Sequence, residues 1–548
     1  MGIDMKMNIK NIFSAVAAAA MLTACVGDLN TIPLNPTDVT SETAYGADEE
    51  GYVQGLTKIY FQLVSNNTQD LQVADGGASE FIRAFWSTQE VTADAAKCAW
   101  GDAWVNDLNK NTWKGDVLND AVYAVYVRTL QGVTYVNEYL RQTSDDNLSL
   151  RGCSDAVKAK VQEYRAEARF LRAFFYWAAL DTFGQVPFAT EESPFGGGYN
   201  PPQKSRTEVF NYVIDELEDL AADGSAMPAA QSNYPRADKG SCLGLLARMY
   251  LNAEVYTGTA MWAEAKTTCE RIFALGYRLA PTHAELFRGD NGENPDAKGE
   301  FLFAASYNAE HTQSYGGTTY LTLSTLSGDD GAVNIIGING GWAGNRVPYE
   351  YVAKWFTDVK GQNYETGEYQ YTDKRAGYFY IKGRSESMQD QLNTFLNGWS
   401  CIKFNNVPHD STAVDYAATA AKKNFSDIDW PLIRLGEINL IYAEACMHAG
   451  GNASAQVKAL TDRAGVSAPS KIDEEWLLAE RSRELMWEAH RRTDLIRFGK
   501  WISGYNWTYK GGNFGGQDLP AHFNIFPVPS TELSTNPDLQ QNPNYARP

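Results

Sequence analysis

Apolar residues recur at three- and four-residue steps through three long stretches of the chain. In "VQEYRAEARFLRAFFYWAALDTFGQVP", Val161, Tyr164, Ala168, Leu171, Phe174 and Ala178 form one stripe. That spacing predicts an amphipathic helix. Phe170 and Trp177 widen the stripe, so the C-terminal half must be buried nearly all round; Gly184 and Pro187 end the helix. "KGSCLGLLARMYLNAEVYTGTAMWAEAKTTCERIFALGY" reads as two helices turned at Thr257-Gly258. In "WPLIRLGEINLIYAEACMHAGG", Pro431 is expected to open a helix and Gly450-Gly451 to close it. A further helical stretch, "DEEWLLAERSRELMWEAHRRTDLIRFGKW", opens at Asp473.

The pattern predicts a mostly α protein. Its antiparallel helix pairs resemble tetratricopeptide units, although no strict repeat period is visible. Between Glu191 and Arg206, and from about Phe287 to Asp429, Gly, Asn, Asp, Tyr and Thr take over. Strand-like pieces there, Phe301–Ala304 and Tyr378–Ile381, are too short for a separate sheet domain. Residues 287–429 are therefore expected to be long insertions folded over one side of the helical body. Loops of that length in a compact protein usually carry function.

Composition narrows the function. Hydrophobic residues make up 44% of 548, ample for a buried core. A formal net charge of −20 disfavours nucleic acid, whose phosphates need a basic surface. The six histidines show no HExxH and no ligand spacing, which argues against a zinc enzyme. No GxSxG and no Cys/His constellation suggests a hydrolase.

The N-terminus reads as an export signal. Lys6 and Lys10 precede an apolar run from Ile12 to Leu22, too short to span a bilayer, and Leu22-Thr23-Ala24-Cys25 follows. That ending resembles the bacterial lipobox, which implies a signal peptide over 1–24, lipidation at Cys25 and a single mature domain over 25–548. The other cysteines, Cys98, Cys153, Cys242, Cys269, Cys401 and Cys446, form no CxxC, and no structural disulfide is expected.

"YRAEARFLRAFFYWAALDTFGQVPF", "PLIRLGEINLIYAEA", "ERSRELMWEAHRRTDLIRFGKW" and "NIFPVPSTELSTNPDLQQNPNY" resemble, in order, the signatures of the SusD/RagB family. The resemblance runs the length of the chain. It implies a lipid-anchored outer-membrane protein of Bacteroidota, with a tetratricopeptide-like helix-pair scaffold and a loop-rich ligand-binding half. It also implies a non-enzymatic role: capture of glycans at the cell surface, above a SusC-like TonB-dependent transporter. Ala489-His490 departs from the family's usual Gly and basic residue. Glu167 with Arg169, and Glu484, Glu488, Arg491 and Asp494, then read as ion pairs bracing helix ends rather than catalytic carboxylates.

Two glycine-rich segments, "QSYGGTTYLTLSTL" and "GINGGWAGNR", carry aromatics where a phosphate loop would carry Lys. A sugar ring offers C–H groups on its faces and hydroxyls round its rim, so an exposed aromatic stacks on the face while polar groups bond the rim. Glycines let a tight loop carry such a ring. Tyr315 and Trp342 are accordingly the predicted platforms, and their loops resemble the ligand-facing loops of the family's starch-binding prototype. In "EFIRAFWSTQEVTADAAKCAWGDAW", the same resemblance makes Arg83 a hydroxyl-binding residue and Trp100 a stacking residue. Cys98 stands where the prototype has a second Trp, and Ala103 where it has a ligand-bonding Asn. Asp102 or Trp104 could compensate. Trp86 is balanced between platform and core.

These readings favour a neutral α-glucan of starch or dextran type, with no cofactor required. A RagB-like peptide receptor and an endo-acting glycosidase remain the alternatives. In "RGDNGENPDAKGE", Arg288 to Glu300, the crowded oxygens could bind calcium. The spacing is not that of an EF-hand, and a solvated turn is the simpler reading.

Overall fold

The helical stripe read from residues 161–178 is fully interior: Val161, Tyr164, Ala168, Leu171, Phe174 and Ala178 are all buried. They lie on a helix of Asp155–Phe183, opened by Ser154, whose side chain accepts from Val157 N, and closed at Gly184. The computed structural model describes residues 44–66, 71, 73, 76–196, 198–389, 391–420 and 423–548. The expected signal peptide over 1–24 and the expected lipidation site Cys25 lie outside the described residues. Ala47–Pro548 forms one unit, and Met1–Gly46 is counted apart.

The scaffold comprises α1 (Glu49–Val64), α2 (Phe81–Trp86), α3 (Ala103–Lys110), α4 (Asp120–Gln142), α5 (Asp155–Phe183), α6 (Arg206–Ala221), α7 (Lys239–Leu251) and α8 (Trp262–Phe273). After the insertion, which contains α9 (Gly317–Leu323), come α10 (Leu435–Ala449), α11 (Ser454–Ala464), α12 (Glu474–Glu484) and α13 (Arg491–Arg497). Neighbours pack in sequence: α4 on α5, α5 on α6, α6 on α7, α7 on α8, α8 on α10, and α10 on both α11 and α12. This is the expected succession of helix pairs. The predicted turn at Thr257-Gly258 is present, with Gly258 left-handed. All six cysteines from Cys98 to Cys446 are buried thiols.

Two helix expectations are corrected. Pro431 does not open a helix: Trp430–Arg434 is a strand, antiparallel to Phe301–Ala305, and α10 starts at Leu435. All five strand residues are buried, so the segment has no alternation to distinguish it from a buried helix. The ladder register shifts between Pro431 and Ile433, an irregularity that tolerates the missing N–H.

The stretch after Asp473 also breaks, between α12 and α13, where Trp487 and Ala489 adopt φ of 64° and 62°. Distant donors take the carbonyls that a continuous helix would use. Arg434 binds Glu484 O at 2.8 Å, Lys403 binds Met486 O at 2.6 Å, and Trp86 Nε1 binds Trp487 O at 3.0 Å.

The carboxylates of these segments are structural. Arg434 reaches Glu300, Glu484 and Glu488 at 2.9, 2.7 and 2.6 Å; Arg463 reaches Glu300 and Glu484, both at 2.6 Å. Lys403 binds Glu488 at 2.6 Å, and Arg375 binds Asp373, Glu480 and Glu484. Every member is buried. The surrounding guanidinium charges outweigh burial and hold Glu484 well below the usual carboxylate range. Glu167 pairs with Arg236 at 2.5 Å, Arg491 with Asp94 at 2.6 Å and Asp494 with Arg481 at 2.8 Å.

Candidate functional site

The segment after α2 reaches a short strand, Lys97–Cys98, paired antiparallel with Asn345–Arg346. That pairing brings the "CAW" and "GGWAGN" segments together: Ala99 N donates to Gly344 O at 2.8 Å. Trp100 Nε1 donates to Trp342 O at 3.0 Å. Gly344 has to be glycine here, because a Cβ would lie 2.8 Å from the Trp100 ring. The Trp342 segment is tied in turn to the end of α9, with Trp342 N donating to Leu323 O at 2.9 Å. One part of the Trp342 ring packs on a cluster of Leu323, Leu326, Ile336 and Ile338, which leaves it partly exposed.

Tyr315 sits just before α9 and is 53% exposed. Its ring centroid is 6.2 Å from that of Trp342, the planes inclined by 51°. The loop presses onto Glu80: a Cβ at Gly316 would lie 1.6 Å from a Glu80 carboxylate oxygen. Glu80 Oε1 accepts from Tyr307 Oη at 2.5 Å. Burial pushes the Glu80 carboxyl up to about 8, against the pull of the Tyr307 hydroxyl and the Arg83 and Arg128 charges.

The structure therefore brings Trp100, Trp342 and Tyr315 to one surface from segments far apart in sequence. Other expected residues fall elsewhere. Arg83 is 3% exposed, its guanidinium 5.3 Å from the Trp100 ring centroid and 4.5 Å from that of Tyr320. It underlies the Trp100 platform instead of standing at its rim. Tyr320 is itself buried and donates to Asn345 Oδ1 at 3.1 Å. Trp86 is core, packed edge-on against Trp487. Cys98 is buried, its backbone held by Asn109 through bonds of 2.9 and 2.8 Å, and burial pushes its thiol up to about 11. Trp104 turns inward too, so neither it nor Cys98 supplies a second tryptophan face. Asp102 is exposed at the start of α3, and its carboxylate makes no capping bond. It is free to accept hydroxyls.

Two neighbours were not read from the sequence. The exposed Asn393 donates its amide to Ala99 O and Trp100 O, each at 3.1 Å. The half-buried Phe425 ring lies 5.1 Å from Tyr315, inclined by 52°. Its signal was a lone aromatic within the polar "KKNFSD".

In the acidic loop, the polar residues largely satisfy one another. Asn291 bonds Leu286 O and Asp429 O at 2.8 Å each, Asn294 caps the turn at Asp296 N, and Asp290 accepts from His409. Among the described residues, Asp290, His409 and Asp410 are the one group that places three ligand atoms together.

The SusD family matches residues 278–545. The starch-binding protein SusD of Bacteroides thetaiotaomicron is 30% identical, across 98% of this chain and 99% of that protein. A SusD superfamily protein from Parabacteroides distasonis superposes with a TM-score of 0.67 at 19% identity, over 93% of this chain and 100% of that one. Surface glycan-binding protein A from Bacteroides thetaiotaomicron, solved with laminarihexaose, gives a TM-score of 0.66 at 17% identity, covering 90% of this chain and 99% of its own.

Proposed function

The chain belongs to the SusD family, and on that premise we propose that it captures neutral α-glucan oligosaccharides, of starch or dextran type, on Trp100, Trp342 and Tyr315. Anchored to the outer membrane through Cys25 and facing outward, it hands them to a SusC-like TonB-dependent transporter. The protein works by binding and not by catalysis. The observation that carries this reading is the inclination of Tyr315 to Trp342, 51° at a centroid separation of 6.2 Å. Facets set at such an angle suit a chain that turns from one sugar to the next, as an α-glucan does, better than a flat ribbon.

Stacking supplies most of the affinity. Asp102 supplies a rim acceptor, and Arg83 holds Trp100 from beneath. The 30% identity to a starch-binding relative supports the same ligand class. Hand-over requires release, and micromolar to millimolar dissociation constants correspond to about 8 to 4 kcal/mol. Two or three platforms with a few rim bonds reach that range.

Calorimetric titration with maltoheptaose, isomaltooligosaccharides and laminarihexaose tests the reading. Trp342→Ala and Trp100→Ala should each weaken α-glucan binding roughly 5- to 30-fold, for a loss of about 1–2 kcal/mol of apolar contact. Full α-glucan affinity in both variants, or binding confined to laminarihexaose, would remove the proposed site or ligand. New reducing ends after incubation would instead make the protein a glycosidase.

A further inference from the structure

Phe425 joins the aromatic series through Tyr315, their ring centroids 5.1 Å apart. Its one ring contact among the described residues is Tyr315, itself more than half exposed. A phenylalanine recruited for the core would be covered, yet this one is partly open and flanked by polar residues on both sides. Its backbone is fixed to the two platform loops. Asn339 N, in the Trp342 segment, donates to Lys423 O at 3.0 Å. Ser426 N donates to Thr319 Oγ1 at 3.0 Å, and Thr318 Oγ1 to Ile428 O at 2.9 Å, both on the helix that follows Tyr315. The ring is therefore preset against Tyr315, and little ordering entropy is lost when a ligand covers it.

The exposed side-chain amides of Asn339 and Asn424 flank the crossing, and neither makes a hydrogen bond among the described residues. An amide offers both a donor and an acceptor, which suits vicinal hydroxyls. No ionisable group is needed beside them, since Lys423 is already paired with Asp427 at 2.6 Å.

We infer that Phe425, with the amides of Asn339 and Asn424, forms a further sugar subsite, taking the next residue of a neutral glucan beyond Tyr315. This rests on the α-glucan reading above. The missing second tryptophan at Cys98 is thereby offset beyond Tyr315, and the bound stretch of chain is displaced toward Phe425. The ring planes are inclined by 51° from Trp342 to Tyr315 and by 52° from Tyr315 to Phe425. A ligand long enough to cover all of the rings gains from Phe425; a short one seated on Trp100 and Trp342 does not.

The test is the dependence of affinity on chain length, read by calorimetric titration with maltotriose, maltopentaose and maltoheptaose. For the unaltered protein, affinity should rise with length. Phe425→Ala and Phe425→Leu should bind maltotriose as before but lose roughly five-fold or more for maltoheptaose, as expected for one lost platform. Phe425→Trp should keep the full length dependence. The leucine variant retains apolar bulk without a flat face, which separates a lost subsite from a loosened loop if the alanine variant melts early. An unchanged length dependence in the leucine variant, alongside a clear loss in Trp342→Ala, would overturn the subsite and leave the main site standing. If the unaltered protein binds none of the three sugars and no isomaltooligosaccharide of the same lengths, both readings fall together; binding to the isomalto series alone moves the same length test to that series.

Discussion

The indole N–H of Trp100 donates to the carbonyl oxygen of Trp342 at 3.0 Å, joining positions 242 residues apart. Each tryptophan thus contributes a ring and also fixes the other's loop. Trp100→Phe keeps a flat face but removes the donor. We expect a loss of roughly five-fold in glucan affinity, the effect of about 1 kcal/mol. Titration against maltoheptaose checks this. Unaltered affinity would mean that the Ala99–Gly344 backbone bond is enough to align the loops.

Arg83 is buried against the rings of both Trp100 and Tyr320, so Arg83→Ala should act on stability first. Losing two desolvated cation–π contacts should cost about 2 kcal/mol or more. Affinity should fall with it, as Trp100 loses its support. Arg83→Lys should not rescue, because an ammonium lacks the planar face that a guanidinium lays against aromatic rings. Melting curves and titrations on the same samples decide: an affinity loss with an unchanged melt would show Arg83 reaching the ligand directly.

Glu80 is held protonated beneath the Tyr315 loop, its pKa raised to about 8. Unfolded, it titrates near the ordinary carboxylate value of about 4.3. Between those values the folded protein holds the proton that the unfolded chain has released, so this group's contribution falls as pH rises from about 4.3 to 8. Glu80→Gln imitates the neutral acid and has no such slope. Its melting temperature should therefore gain on that of the parent as pH is raised through this window. Parallel pH profiles for the two proteins would show that Glu80 is ionised in the fold.

Ala489 has φ of 62°, a left-handed conformation that hinders any side chain with a Cβ. Relieving it should be worth about 1–2 kcal/mol, of which roughly 0.5–1 kcal/mol is returned to the freer unfolded chain. Ala489→Gly should therefore melt at a slightly higher temperature, with ligand binding untouched. A lower melting temperature would mean that the Ala489 methyl packs more than it strains.

Cys25 follows Leu22-Thr23-Ala24, and its lipidation is expected to tether the protein. Cys25→Ala should appear in the soluble fraction or as an unprocessed precursor. Persistence of the variant in washed outer membranes would refute that reading.

The scaffold was legible because helix burial leaves a local trace, the three- and four-residue spacing from Val161 to Ala178. The strand at Trp430–Arg434 left none, since a segment buried on every side has no polar positions to set its period. The break at Trp487 and Ala489 depends on donors from Trp86, Lys403 and Arg434, and no window of neighbouring residues contains them. At the site, Tyr315 and Trp342 were readable as rings beside glycines. The inward turns of Trp104 and Arg83 were not, since each depends on what lies against it in three dimensions.

The carboxylates and guanidinium groups gathered round Arg434 carry a consequence for how this protein can change over time. Deleting one member would strand its partner's charge in the interior, at about 3–5 kcal/mol, so these positions cannot drift singly. The rings of Trp100, Tyr315, Trp342 and Phe425 carry no charge, so replacing one strands no ion in the interior, even though Trp100 and Trp342 remain tied to each other. Likeness to other chains in the Arg434 segments therefore reports inherited electrostatics and says little about which ligand is held.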